Sequence, residues 1–232
     1  MAKIYDVFIL CGGKCGSTSL SSSFNKFGYK TLKVHGKLDY VNQFHEDKLY
    51  ETIDLSCSKK QIIIIDVYRT PIERKISSFF QNINVYIPDW KSKSTEQLVT
   101  EFNNNYLYKL EEYHSINEAF ENYNIPNFTE FNFKRSFNLL KKDNKFFIKL
   151  LYKDINKWQY ILRLIFNKNF TITKNNLSNK KDYYTSYQHF LLKYKVPKKY
   201  LELLTKDKEF TIYNSLEDQV SYFEYWNSKS YK

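Results

Sequence analysis

The apolar positions of this chain fall into short continuous runs separated by stretches of helical periodicity. Val7 to Leu10 is an uninterrupted apolar run, short enough for a buried strand, and it opens into Cys11-Gly12-Gly13-Lys14-Cys15-Gly16. From Ser17 to Phe27 the residues Leu20, Phe24 and Phe27 share one helical face, with Ser17 or Thr18 placed to cap the helix and Gly28 to end it. Tyr29 to Val34 reads as a second strand. Gln61 to Val67, with four consecutive isoleucines, is the clearest strand, and its lack of polar alternation suits a parallel strand covered on both faces. A helix is expected from about Pro71, because proline fits a first helical turn. Thr95 to Tyr123 reads as helical with polar breaks, Phe146 to Leu151 as a strand, and Ile155 to Phe166 as a helix with Trp158, Leu162 and Ile165 on one face. Pro197 to Leu204 and Leu216 to Trp226 are expected helices, and the Lys- and Asn-rich stretch from Asn167 to Lys181 a surface loop around one short strand.

Strands alternating with helices predict an α/β protein: a P-loop-like, three-layer fold with a central parallel β-sheet flanked by helices. The 232 residues suit one domain, and no repeat or linker divides them, so a single domain over 1–232 is expected. An apolar content of 42%, with 19% aromatics, excludes a disordered chain. The formal charge of +11 suggests an anionic partner, but an AT-rich coding sequence yields the same Lys-, Asn-, Ile-, Tyr- and Phe-rich composition without selection for charge. The three cysteines, Cys11, Cys15 and Cys57, do not form a disulfide framework, which favours a reducing compartment. The residues before Val7 carry no apolar leader and no run is long enough to cross a bilayer, so a soluble, cytoplasmic protein without a membrane anchor is expected.

The run Val7–Leu10, the glycine loop and the helix after it make a strand–loop–helix unit. Glycines let backbone approach a ligand closely, unpaired N–H groups at a helix start point at an anion, and Lys14 adds a full charge. A nucleotide-triphosphate loop places its lysine after the last glycine. Here Lys14 precedes Gly16, and Ser17-Thr18-Ser19 follow. A second cationic motif lies past the isoleucine strand. Arg69-Thr70-Pro71 stands where that strand ends, and Ser77 follows Arg69 by eight residues on the expected helix. The planar fork of Arg69 suits bidentate phosphate contact at the ligand-facing edge of an open sheet. Arg74 reads instead as a surface ion pair with Glu73.

Lys-x-Gly-Ser-Thr followed by Arg-x-Pro-x-x-Arg-x-x-Ser-x-Phe resembles the sulfotransferase superfamily, in its carbohydrate-type form. Phe147 to Asp154 is similar to the late strand and acidic turn of those domains, and Asp154-Ile155-Asn156-Lys157-Trp158 partly resembles putative capsular-polysaccharide proteins. The resemblance implies a donor, 3′-phosphoadenosine-5′-phosphosulfate, with adenosine 3′,5′-bisphosphate as its product and no metal. It implies that Lys14 contacts the bridging oxygen region of the phosphosulfate and that the loop residues Cys15, Gly16, Ser17, Thr18 and Ser19 hold the 5′-phosphate. Arg69 and Ser77 would take the 3′-phosphate, with Lys180 or Lys181 on a late basic loop over it.

Transfer to a hydroxyl or amine needs a base, and His35, closing the second strand, is the expected one; Asp39, His45 and Glu46 compete. His45 and His114 read as surface residues, and the histidine and cysteine spacings make no metal site. The acceptor is expected to be a glycan or other small hydroxyl compound, bound by loops at Gly36–Ser58 and Pro88–Asn127. Rival readings are a P-loop nucleotide-dependent kinase and a non-catalytic glycan- or nucleic-acid-binding protein, although no nucleic-acid recognition motif is present.

Overall fold

The computed structural model describes residues 3–109, 115–173 and 181–231. In chain order the elements are β1 (Val7–Leu10), α1 (Ser17–Lys26), β2 (Thr31–Val34), α2 (Lys37–Phe44), α3 (Leu49–Cys57), β3 (Ile62–Tyr68), α4 (Pro71–Gln81), α5 (Ile83–Tyr86), α6 (Thr95–Glu101), α7 (Ser115–Asn122), β4 (Phe137–Lys142), β5 (Lys145–Leu151), α8 (Trp158–Phe166), α9 (Tyr184–Lys193), β6 (Val196–Pro197), α10 (Lys198–Leu204), α11 (Lys208–Tyr213), α12 (Leu216–Ser228) and β7 (Ser230–Tyr231). By density of internal contacts the chain forms two compact units, residues 1–69 with 112–176 and residues 70–111 with 177–232.

The first unit is α/β. Its sheet has the order β2-β1-β3-β5-β4 and is parallel except for the β4–β5 pair, which is an antiparallel hairpin. The expected central parallel sheet is present, with one antiparallel strand, β4, at its edge. The burial of β4 alternates, with Leu139 and Lys141 exposed and Lys142 half-buried at its end, as suits an edge strand. β3 is buried along its whole length. Ile62 and Ile64 join the core under α2, α3 and α7, while Ile63, Ile65 and Val67 join the core under α1 and α8. Each such isoleucine contributes about 1.5–3 kcal/mol relative to exposure.

Four like isoleucines leave the strand's register open to a two-residue slip, which would keep the same faces buried. Asp66 and Lys149, opposite each other on β3 and β5, close that option: they form an ion pair of 2.6 Å with both side chains 2% exposed. A slip would strand both charges, and removing one partner of such a pair costs about 3–5 kcal/mol.

The segments 37–44 and 49–57, expected within a loop, are helices whose Tyr40, Leu49 and Ile53 pack onto the sheet. α1 has Gly16 as its N-cap in a left-handed conformation and no side-chain cap bond, so neither Ser17 nor Thr18 caps it. Residues 167–173 contain no strand; Phe170 is fully buried there, stacked on Phe27 and edge-on to Phe24.

The second unit is helical, with the short parallel pair β6–β7. Phe79, Phe80, Phe102, Phe190, Tyr194 and Trp226 centre its core. A π-helical turn over Phe102–Tyr106 turns Asn103 inward, where its Oδ1 accepts from the Tyr194 hydroxyl at 3.0 Å. Arg74 is 7% exposed and is not the surface residue expected, because α4 turns both Arg74 and Lys75 inward. Glu73 accepts from the Tyr222 hydroxyl at 3.0 Å and the Trp226 indole at 3.3 Å.

Candidate functional site

The carboxyl ends of β1 and β3 form the candidate functional edge of the first unit. The chain leaves β1 to β2 on one side and returns to β3 on the other, so the crevice at these strand ends is a topological switch point, where open α/β sheets bind ligands. The loop Cys11–Gly16 leaves β1 there, and Arg69 follows β3.

Lys14 has φ 69° and Gly16 has φ 84°. Left-handed backbone is uncommon for a residue with a Cβ and is held at Lys14 by its surroundings. At Gly16 the reason is steric. A Cβ there would lie 2.8 Å from Trp158 Cη2 and 3.5 Å from Tyr152 Cε2. The loop therefore rests on a fully buried indole, which is fixed by its own N–H bond to the Leu151 carbonyl at 3.0 Å. Beyond Gly16, α1 begins with no side-chain cap and no acidic residue in its first turn. Such a helix start directs N–H groups and positive dipole toward an anion.

Cations gather around this helix start. Arg69 Nη1 donates to the Lys14 carbonyl at 2.8 Å, and its guanidinium stacks 4.5 Å from the Tyr152 ring centroid. Lys33 Nζ donates to Thr18 Oγ1 at 3.4 Å. Lys33 and Tyr152 were not among the expected site residues. The alternation of β2 carried a signal for Lys33: Leu32 and Val34 are buried on one face, so Thr31 and Lys33 turn to the α1 side. Ser17 and Ser19 are buried. The Ser17 hydroxyl bonds the Cys11 thiol, and burial, with Cys15 and Asp66 adding to it, pushes that thiol well above its usual range. Cys11 is thus held as an inert thiol. The Cys15 thiol points back to the Gly13 carbonyl at 3.7 Å.

His35 joins the same edge. Its Nδ1 lies 2.6 Å from the Cys11 carbonyl, and its backbone N–H donates to Asp39 Oδ2 at 2.7 Å. A carbonyl only accepts, so Nδ1 carries hydrogen and the lone pair of the neutral ring sits on Nε2. Of the competitors, Asp39 is engaged by His35 and by Gln43 Nε2 at 2.9 Å, Glu46 pairs with Lys48 at 3.3 Å, and His45 is an exposed left-handed residue ending α2. The structure brings Lys14, Gly16, Thr18, His35 and Arg69 together with Lys33 and Tyr152. Ser77 is a half-buried residue of α4 and Lys181 precedes α9, both in the second unit. Lys180 and His114 lie outside the described residues. Among the described residues, no group of three or more His, Cys, Asp or Glu side chains is placed to hold a metal, and no helix is long and apolar enough to cross a membrane.

Comparison of the chain with family models, curated proteins and solved structures gave no match.

Proposed function

We propose that the protein is a sulfotransferase of P-loop-like fold that moves a sulfuryl group from 3′-phosphoadenosine-5′-phosphosulfate to a hydroxyl or amine. The observation that carries this reading is the bond from Arg69 to the Lys14 carbonyl. It joins the lysine-before-glycine loop and the Arg-x-Pro motif at one switch point, as a donor with phosphates at both its 5′ and 3′ positions requires. The 5′-phosphosulfate lies over the uncapped start of α1, with Thr18 and Lys33 at its side. Lys14 places its ammonium near the bridging oxygen. Arg69 spends one donor on the loop and offers the others to the 3′-phosphate.

Transfer is a direct in-line displacement. The acceptor oxygen forms a bond to sulfur as the bond from sulfur to the bridging oxygen breaks, and that electron pair stays on the 5′-phosphate of the departing adenosine 3′,5′-bisphosphate. Lys14 and Lys33 meet the charge that grows there, a preorganised stabilisation requiring no covalent intermediate on the protein. His35 Nε2 takes the proton from the acceptor, while the bond to Cys11 holds the ring in the required tautomer.

Calorimetric titration with adenosine 3′,5′-bisphosphate tests the reading. Binding in the micromolar-to-millimolar range is expected, and its absence overturns the proposal. Stabilisation by ATP and Mg²⁺ but not by the bisphosphate would replace it with a nucleotide kinase.

A further inference from the structure

One open groove in the first unit begins at Lys37, two residues past His35 in the chain, and its described lining carries more carboxylates than ammonium groups. It has a volume of about 580 Å³, within the range of small-molecule sites, and runs between α2, the start of α3 and α7. Lys37, the first residue of α2, lines it and lies two residues past His35, so their Cα atoms are at most about 7 Å apart. The backbone N–H of Lys37 donates to Glu118 Oε2 at 3.4 Å, which ties α7 to this end of α2.

The lining combines apolar surface with carboxylates. Leu38 is 68% exposed at the groove, Val41 continues the apolar side, and Tyr50 presents a half-buried ring braced edge-on by Tyr123 at 5.9 Å. Among the described residues that line it, Asp47, Glu118 and Glu121 place three carboxylates against one ammonium, and that ammonium, Lys37, is already paired with Asp47 at 2.9 Å. Burial, then the nearby charges of Glu118 and Glu121, raise the Tyr50 hydroxyl, which therefore stays protonated as a donor at neutral pH. In a chain of net charge +11 this is a locally negative surface.

We propose that this groove is the acceptor site and that it selects a neutral or amine-bearing saccharide over a carboxylated or sulfated one. The proposal rests on the sulfotransferase reading given above. An aromatic face and an exposed leucine suit the apolar faces of a sugar ring. Glu118 and Glu121 accept from hydroxyl or ammonium groups, and a charge-assisted bond of that kind is stronger than a neutral one. A uronate or an added sulfate would face Glu118 and Glu121, two carboxylates that form no ion pair among the described residues, and be repelled. The donor, a polyanion, is excluded from the groove by the same charge, so donor and acceptor are sorted before the reaction.

The test is calorimetric, with the full chain and three probes: adenosine 3′,5′-bisphosphate, a trisaccharide of glucosamine, and a hyaluronan tetrasaccharide. The glucosamine trisaccharide is expected to bind and the hyaluronan tetrasaccharide not. The exposed, isosteric double variant Glu118→Gln with Glu121→Gln is expected to weaken trisaccharide binding by about tenfold while leaving the bisphosphate affinity unchanged. Failure of the trisaccharide to bind, equal or tighter binding of hyaluronan, or an unchanged trisaccharide affinity in the double variant each overturns the groove assignment. The bisphosphate titration on the same samples shows separately whether the donor reading stands.

Discussion

The loop edge and the α2–α7 groove are neighbours on one unit, joined by the segment His35–Lys37, yet they are built oppositely. At the loop Lys14, Lys33 and Arg69 surround a helix start that carries no acidic residue. In the groove Glu118 and Glu121 have no cationic partner among the described residues, because the ammonium of Lys37 is paired with Asp47. The net charge of the chain describes neither surface. What matters is that the positive surface is assembled from backbone as much as from side chains, through left-handed Lys14 and Gly16 and the open end of α1. The negative one consists of side chains on two helices. A backbone site is rigid and suits a fixed phosphate geometry, whereas a side-chain groove suits a partner whose shape varies.

His35 stands at the junction, and its removal is expected to have the largest effect. His35→Ala is expected to lower the transfer rate by about 10²–10⁴ while bisphosphate binding persists, since in the proposed mechanism the ring accepts a proton and makes no phosphate contact. Single-turnover assays with labelled donor, read beside calorimetry, check it; turnover at the wild-type rate would remove His35 as the base.

The next effect belongs to the positive side alone. In the proposed donor site Arg69→Ala would remove charge-assisted contacts worth about 1.5–3 kcal/mol, and the bisphosphate affinity should fall accordingly. Arg69→Lys should recover little of it, because a single ammonium cannot hold the Lys14 carbonyl, stack on Tyr152 and still meet a phosphate. Trisaccharide affinity should remain unchanged in both variants, and a parallel loss would mean that the two surfaces are not separate. Lys33→Gln is expected to act in the same direction but less strongly, about threefold to tenfold on bisphosphate affinity, because the side chain is only half-buried and partly screened. A salt titration should show that its effect shrinks as ionic strength rises.

The two surfaces were unequally visible in the amino-acid order. The isoleucine run announced a strand buried on both faces, and the lysine-before-glycine spacing with Arg69 at the next strand end marked the loop edge, because backbone sites need particular residues at fixed spacing. The groove lies within the two segments expected to bind the acceptor, 36–58 and 88–127, but the helices that form its first wall are not legible there. α2 and α3 are short and rich in polar residues, and only packing of Tyr40, Leu49 and Ile53 on the sheet makes them helices. Register was equally hidden: nothing local reveals that Asp66 faces Lys149 across 83 residues of chain, or that Lys33 lies beside Ile9 and so beneath Thr18. The change of unit between Arg69 and Thr70 falls inside a motif and carries no linker composition.

The smallest expected effect comes from outside both surfaces and checks that the others are local. Asp6 precedes β1 at the end of the strand remote from the loop. Burial alone would raise its carboxyl, but the hydrogen bond from Lys60 at 2.6 Å, the Lys30 backbone N–H at 2.7 Å and the charges of both lysines outweigh it and hold the carboxyl below its usual value. A folded-state value below the unfolded one means that the contribution to stability is present above the ordinary carboxylate range and is lost as pH falls through the depressed value. Asp6→Asn should therefore cost about 0.5 kcal/mol at neutral pH, as expected for a partly exposed pair, and the difference from wild type should vanish on acidification. Denaturant unfolding followed from pH 7 to pH 2 measures it. A difference that grows with falling pH would reverse the sign, and one accompanied by a change in bisphosphate or trisaccharide affinity would show that damage at the far end of β1 propagates to the sites. In that event the losses at Arg69 and Lys33 would report stability of the sheet as well as contact with an anion.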